Sequence, residues 1–182
     1  NNNRIYLFYC LVPGPYTGKV YIGSVSGNTV NFDMDKTFSG TSQNDSVSLV
    51  SPVLDITNNR IIVSTSGISP NLALRAIVGT VSGSSISFGT PYIWASWETV
   101  TNTATFDSNS NKVVLAYKRY VSGVGYYGEL VVGSVSGDTV NFGSPQTFHS
   151  TNPGLWPESL LFNPNNNRIY LFYCLVPGPY TG

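Results

Sequence analysis

The stretch Gly133 to Phe142 reads GSVSGDTVNF, and it decides the fold because it occurs three times in variant form. GSVSGNTVNF starts at Gly23 and GTVSGSSISF at Gly79, giving spacings of 56 and 54 residues. In each copy two runs of alternating apolar residues flank a Ser-Gly pair, the pattern of a tight antiparallel hairpin whose glycine accepts positive φ. A second marker, a basic residue following Asn, falls at Arg4, Arg60, Lys112 and Arg168, spaced by 56, 52 and 56 residues and spanning 164 in all. The first eighteen residues, Asn1 to Gly18, return letter for letter as Asn165 to Gly182. The 182 residues are therefore three divergent repeats of about 55 followed by the start of a fourth that duplicates the first. With no Met at position 1, the echo reads as a window on a repeating array or as an artificially built chain.

Working outward from the hairpin, each repeat yields four strands, A to D, with period-two patterning. Strand A ends in Val53-Leu54, Thr105-Phe106 and Leu161-Phe162, and an Asn/Asp-rich turn follows (DITNN, DSNSN, NPNNN) whose side chains bond their own main chain. Strand B reads RIYLFY, RIIVST and KVVLAY, and places Ile5, Leu7 and Tyr9, then Ile61, Val63 and Thr65, then Val113, Leu115 and Tyr117 on one face. Strand C is KVYIGSV, RAIVGTV and ELVVGSV, and strand D is TVNF or SISF. No helix is expected. The fold class is all-β, with antiparallel four-stranded repeats of the kind that form β-propeller blades. The divisions are 1–43 (strands B to D), 44–98, 99–151 and 152–182 (strands A and B), which makes three blades plus one surplus strand.

The chain resembles tandem repeats of bacterial, phage and metagenomic surface or structural proteins. The resemblance rests on Val131 to Pro145 and Ile77 to Pro91, with Phe106 to Tyr117 before them. It implies a propeller-like blade and no particular activity. The first copy departs from the motif at Asp33-Met34-Asp35, where the others carry Gly-Thr-Pro or Gly-Ser-Pro.

Composition bounds the function. Apolar residues make up 41% and aromatic residues 13%, enough for a core. Nine basic and nine acidic residues balance to zero and are scattered singly, which leaves no basic stripe for nucleic acid and no footprint for an anionic membrane. The longest apolar run, Ile5 to Val12, is too short to span a bilayer, so membrane insertion is not expected. Cys10 and Cys174 are one repeat position seen twice, and a small buried thiol is the expected state rather than a disulfide or a nucleophile. No cofactor is expected either. Gly123 to Gly128 matches the spacing G-x-G-x-x-G, but ELVVGSV follows it as a strand rather than a phosphate-binding helix, so a flexible hairpin loop is expected. Asp33 and Asp35 form a D-x-D without the Gly and Glu of a calcium loop and read as a surface turn.

Catalytic constellations are weak. The single His149 has no serine-elbow motif to serve and is expected in a loop. Glu98 and Glu158 are the carboxylates a glycosidase pair would draw on, but they belong to different repeats. The chain therefore reads as non-enzymatic. Variation collects in the B-to-C and D-to-A connections, where Trp97, Glu98, Arg119, Tyr120, Tyr126, Tyr127, Trp156 and Glu158 are the candidate ligand-binding residues. Flat rings beside charged groups suit a carbohydrate, and the same residue types suit a protein interface. Three blades cannot close a propeller, which needs about four to eight. The expected partner is a second copy, joined through terminal strands into an oligomer or filament, with a lectin-like propeller as the alternative. Low charge leaves strand edges poorly protected against such pairing and suits an extracellular, cell-surface or virion setting.

Overall fold

The computed structural model describes residues 4–11, 16–39, 47–67, 73–96, 99–150 and 155–175. All regular structure among them is antiparallel β-sheet, with no helix. Four sheets follow one another along the chain. Sheet 1 is β1 (Arg4–Leu11), β2 (Thr17–Ser26) and β3 (Thr29–Ser39). Sheet 2 orders β4 (Leu49–Asp55), β5 (Arg60–Ser66), β6 (Leu74–Ser82) and β7 (Ser85–Phe88), with β8 (Tyr92–Ala95) also on β6. Sheet 3 repeats that plan with β9 (Thr99–Asp107), β10 (Lys112–Val121), β11 (Gly125–Ser136), β12 (Thr139–Phe142) and β13 (Gln146–His149). Sheet 4 pairs β14 (Leu155–Asn163) with β15 (Arg168–Leu175).

The repeated residues explain the local geometry. Gly27, Gly83 and Gly137 hold φ of 58°, 58° and 56° in the Ser-Gly hairpins, and Asn59, Asn111 and Asn167 hold 52°, 57° and 55° at the turn between the first two strands of sheets 2 to 4. That second turn is tied internally. Asp55 Oδ1 accepts from the backbone N–H groups of Thr57 and Asn58, both at 3.1 Å, and Asp107 Oδ1 accepts from those of Asn109 (2.9 Å) and Ser110 (3.1 Å). Asn163 does the same for Asn165 at 2.9 Å. The strand glycine of the motif is a packing requirement: a Cβ on Gly133 would come within 2.7 to 2.9 Å of Val140 and Phe142, because the Phe ring lies back over the glycine.

Prolines decide where the outer strand breaks. In sheets 2 and 3 the fourth strand is interrupted at Gly89–Pro91 and Gly143–Pro145, since proline has no N–H for the ladder, and it resumes as β8 and β13. Sheet 1 has Asp33-Met34-Asp35 there, and β3 runs on through it with two register shifts against β2. The expected surface turn at this D-x-D is therefore strand. Asp33 pairs with Arg4, and Asp35 with Lys19 at 2.7 Å, and this lysine contact holds the Asp35 carboxyl below its ordinary range.

Sheets pack face to face. Val20, Ile22, Phe38 and Val47 meet Ile61, Val63, Ile77 and Ile86 between sheets 1 and 2. Val53, Ile62, Ala76 and Val78 meet Val113 and Val140 between sheets 2 and 3, next to Leu74, Ala95, Leu115, Tyr117 and Val131. Val114, Ala116 and Leu160 join sheets 3 and 4. Strands β4, β9 and β14 lie against one another at one edge of the stack, where the Ala104 N–H donates to Ser51 Oγ at 2.9 Å. The turns are also linked in series: Asn58 Nδ2 reaches Asn111 Oδ1 (3.4 Å), and Asn109 Nδ2 reaches Asn167 Oδ1 (3.2 Å). The one apolar face read for strand B understates the burial. In sheets 2 and 3 both faces of that strand are covered, with Ile61 and Val63 on one neighbour and Ile62 on the other.

Candidate functional site

The aromatic candidates converge at the β10–β11 hairpin, and the strand register shows how. Tyr120 faces Tyr126, Arg119 faces Tyr127, and Lys118 faces Gly128. Cross-strand partners share a sheet face, so the hairpin carries two different groups back to back. The expected flexible hairpin loop is a three-residue turn, Ser122 to Val124, closed by Val124 N–H to Val121 O at 3.1 Å; Gly123 and Gly125 take φ of 78° and 120°. Tyr126 and Tyr127 are strand residues.

On the face toward sheet 2, Arg119 makes a two-pronged ion pair with Glu129: Nε lies 3.1 Å from both carboxylate oxygens and Nη2 donates to Oε1 at 2.7 Å. Glu129 is buried, and so is Tyr117, whose hydroxyl has no partner in hydrogen-bonding geometry among the described residues. Burial first, and the adjacent Glu129 carboxylate second, push that phenol far above its ordinary range. The Arg119 guanidinium also lies 5.7 Å from the Tyr127 ring centre. Its charge is answered within the protein.

On the face toward sheet 4, Lys118 Nζ sits between two rings, 4.1 Å from the centre of Tyr126 and 4.4 Å from that of Trp156. Tyr120 stands 5.0 Å from Tyr126 and extends the aromatic group. Burial holds the Lys118 ammonium below the ordinary lysine range, as expected when aromatic faces replace water around a cation. The sequence candidates omit Lys118. Its signal was phase: Lys118 alternates with Val114 and Ala116, and that face is buried against sheet 4.

Trp156 and Glu158, expected in a loop, lie on β14. The register slips between Pro157 and Ser159, so Glu158 is the unpaired residue of a β-bulge and points to solvent. Trp97 and Glu98 lie outside the described residues. His149, expected in a loop, ends β13, with its ring 6.2 Å from Tyr173. Among the described residues no three His, Cys, Asp or Glu side chains converge as a metal site, and both cysteines are free thiols. Burial raises the Cys10 thiol.

The larger feature is apolar. A groove of about 520 Å³ is lined by Val114, Leu130, Val132 and Gly143 of sheet 3 with Leu160, Ile169 and Leu171 of sheet 4. At the other end of the stack Tyr21, Val25, Val30 and Phe32 of sheet 1 are exposed together. Comparison with protein-family models and with curated proteins finds no match to this chain.

Proposed function

We propose that this chain is a non-enzymatic structural repeat module, built of propeller-type blades, that associates with further copies of itself into an oligomeric ring or a filament at an extracellular or particle surface. The observation that carries this reading is the contrast between inner and outer junctions. Between sheets 1 and 2 and between sheets 2 and 3 the repeated apolar positions are covered; on the outer face of sheet 1, and on sheet 3 beside the two-stranded sheet 4, the same positions are exposed, among them Val132 at 49% against 1% for its counterpart Val78. Contiguous apolar surface of this kind marks an association site. Sparse charge leaves the edges without the usual deterrent, and low charge is also what supports the surface setting. Electron microscopy of the concentrated protein tests the reading. Rings or filaments are the expected result, and dispersed single particles would oppose it.

A carbohydrate-binding role is the second reading. It is favoured by the exposed rings of Trp156 and Tyr120, on the same side of the β10–β11 hairpin as Lys118. It is weakened by Arg119, whose Nε and Nη2 donate to Glu129. Titration with a broad sugar panel, followed by tryptophan fluorescence, is expected to give no response; a saturable change would promote this reading over the first.

A further inference from the structure

The two ends of the stack fit one another, and the inner junction shows how. Aligning the strand glycines of sheets 2 and 3 makes Leu130 and Val132 the counterparts of Ala76 and Val78, and Phe148 the counterpart of Trp94. Ala76, Val78 and Trp94 are covered by Val113, Val135, Val140 and Phe142 of the next sheet. Carried to sheet 1, the positions of Val131, Val135, Val140 and Phe142 are held by Tyr21, Val25, Val30 and Phe32, all exposed. The groove beside Val132 thus lacks the residues that sheet 1 displays unused at the opposite end.

Strand edges match as well. Among the described residues β14 pairs only with β15, and β1 pairs only with β2. A four-stranded sheet of the inner type needs one strand of sequence RIYLFYCL between β14 and β2, and two are present. We infer that a second copy of the chain docks head to tail, with its β1 taking the place of β15 beside β14, so that β14 of one copy and β1–β2–β3 of the next make one complete sheet. This rests on the self-association proposed above and specifies its interface. Burial decides which of the identical strands yields. β1 is held by the Arg4–Asp33 ion pair, by Tyr9 stacked on Tyr21 at 5.2 Å, and by Phe8 against Phe38 and Phe88. β15 is exposed along most of its length. The interface is heterologous, so repetition gives a closed ring or an open filament; two copies supply six sheets, within the range of closed propellers.

The register makes the inference testable. Leu161 pairs with Tyr170, which is the same repeat position as Tyr6. Two full-length proteins are prepared with Cys10→Ser and Cys174→Ser, one carrying Leu161→Cys and the other Tyr6→Cys, then mixed and oxidised with diamide. A disulfide joining the two proteins is expected, well above the products of either alone, because directly paired strand residues fall within disulfide reach. Sedimentation of the same samples separates the outcomes. Association without the 161–6 cross-link overturns the strand placement and leaves self-association standing; single-chain sedimentation overturns both. Leu171→Pro in the full chain supplies an independent check. By unseating β15 it frees the β14 edge, and association should tighten, on the order of tenfold if β15 occupies its place nine-tenths of the time. Weakened association by a variant with native near-ultraviolet dichroism would contradict the inference.

Discussion

Strands β1 and β15 have the same eight residues, RIYLFYCL, and bury opposite sides. In β1 it is Tyr6, Phe8 and Cys10 that pack, against sheet 2, while Leu7 remains 47% exposed. In β15 it is Leu171 that packs, against sheet 3, with Tyr173 touching Phe148, while Phe172 remains 53% exposed. Local sequence set strand and register in both places, but the neighbouring sheet chose the buried face. A segment apolar on both faces is made to stand between two neighbours, and each copy here has one.

The comparison is most sharply tested in the column Leu7, Leu115 and Leu171, one repeat position in three settings. Leu115→Ala in the buried setting should destabilise by about 2 to 5 kcal/mol, the range for emptying a packed leucine site. Leu7→Ala in dilute protein should cost under about 1 kcal/mol, as for a partly exposed side chain. Urea unfolding of the variants at one low concentration measures the difference. Equal losses at both positions would break the account.

Gly133→Val comes next. The new side chain must displace Val140 and Phe142, with an expected loss of about 1 to 3 kcal/mol from overpacking. Pairing it with Phe142→Ala should recover part of that loss. A double-mutant cycle showing no coupling would mean that the glycine serves some purpose other than making room for the ring.

These positions also show what the sequence could reveal. Ser-Gly hairpins and Asn-rich turns were legible because a left-handed backbone demands particular residues at fixed places, as Gly137 and Asn111 confirm. The division of strand D was missed even though Pro145 was quoted, because a four-strand repeat leaves no reason to expect the outer strand to resume after a proline. Trp156 reads as a loop residue because the D-to-A connections vary between repeats, and the adjacent Pro157 and Glu158 are unusual in a strand. β14 tolerates them as an edge strand with a bulge, just as β4 tolerates Pro52. The Lys118 cluster was hidden for a different reason: Trp156 lies 38 positions away in sequence, and only sheet stacking brings it to the ammonium.

The smallest expected effect compares the same turn in sheets 3 and 4, where Asp107 and Asn163 cap alike. Desolvation would raise the Asp107 carboxyl, but hydrogen bonds from the Ser110 side chain and from the backbone of Ser110 and Asn109 outweigh it, and the group lies below its ordinary 3.8. Its contribution to stability is therefore present above that value and is lost as pH falls through the lower folded-state value. Asp107→Asn should remove this part of the acid sensitivity and give sheet 3 the same uncharged cap as sheet 4. Thermal melts from neutral to acid pH check it; an unchanged acid slope would assign the sensitivity to other carboxylates.

The central claim is that the uncovered apolar faces of sheet 1 and of sheet 3 beside sheet 4 belong against another copy. Sedimentation velocity of the unmodified protein over a wide concentration range tests it most directly. The account predicts species at whole multiples of 19.7 kDa that grow with concentration. A single 19.7 kDa species at every concentration, with native near-ultraviolet dichroism, would contradict it.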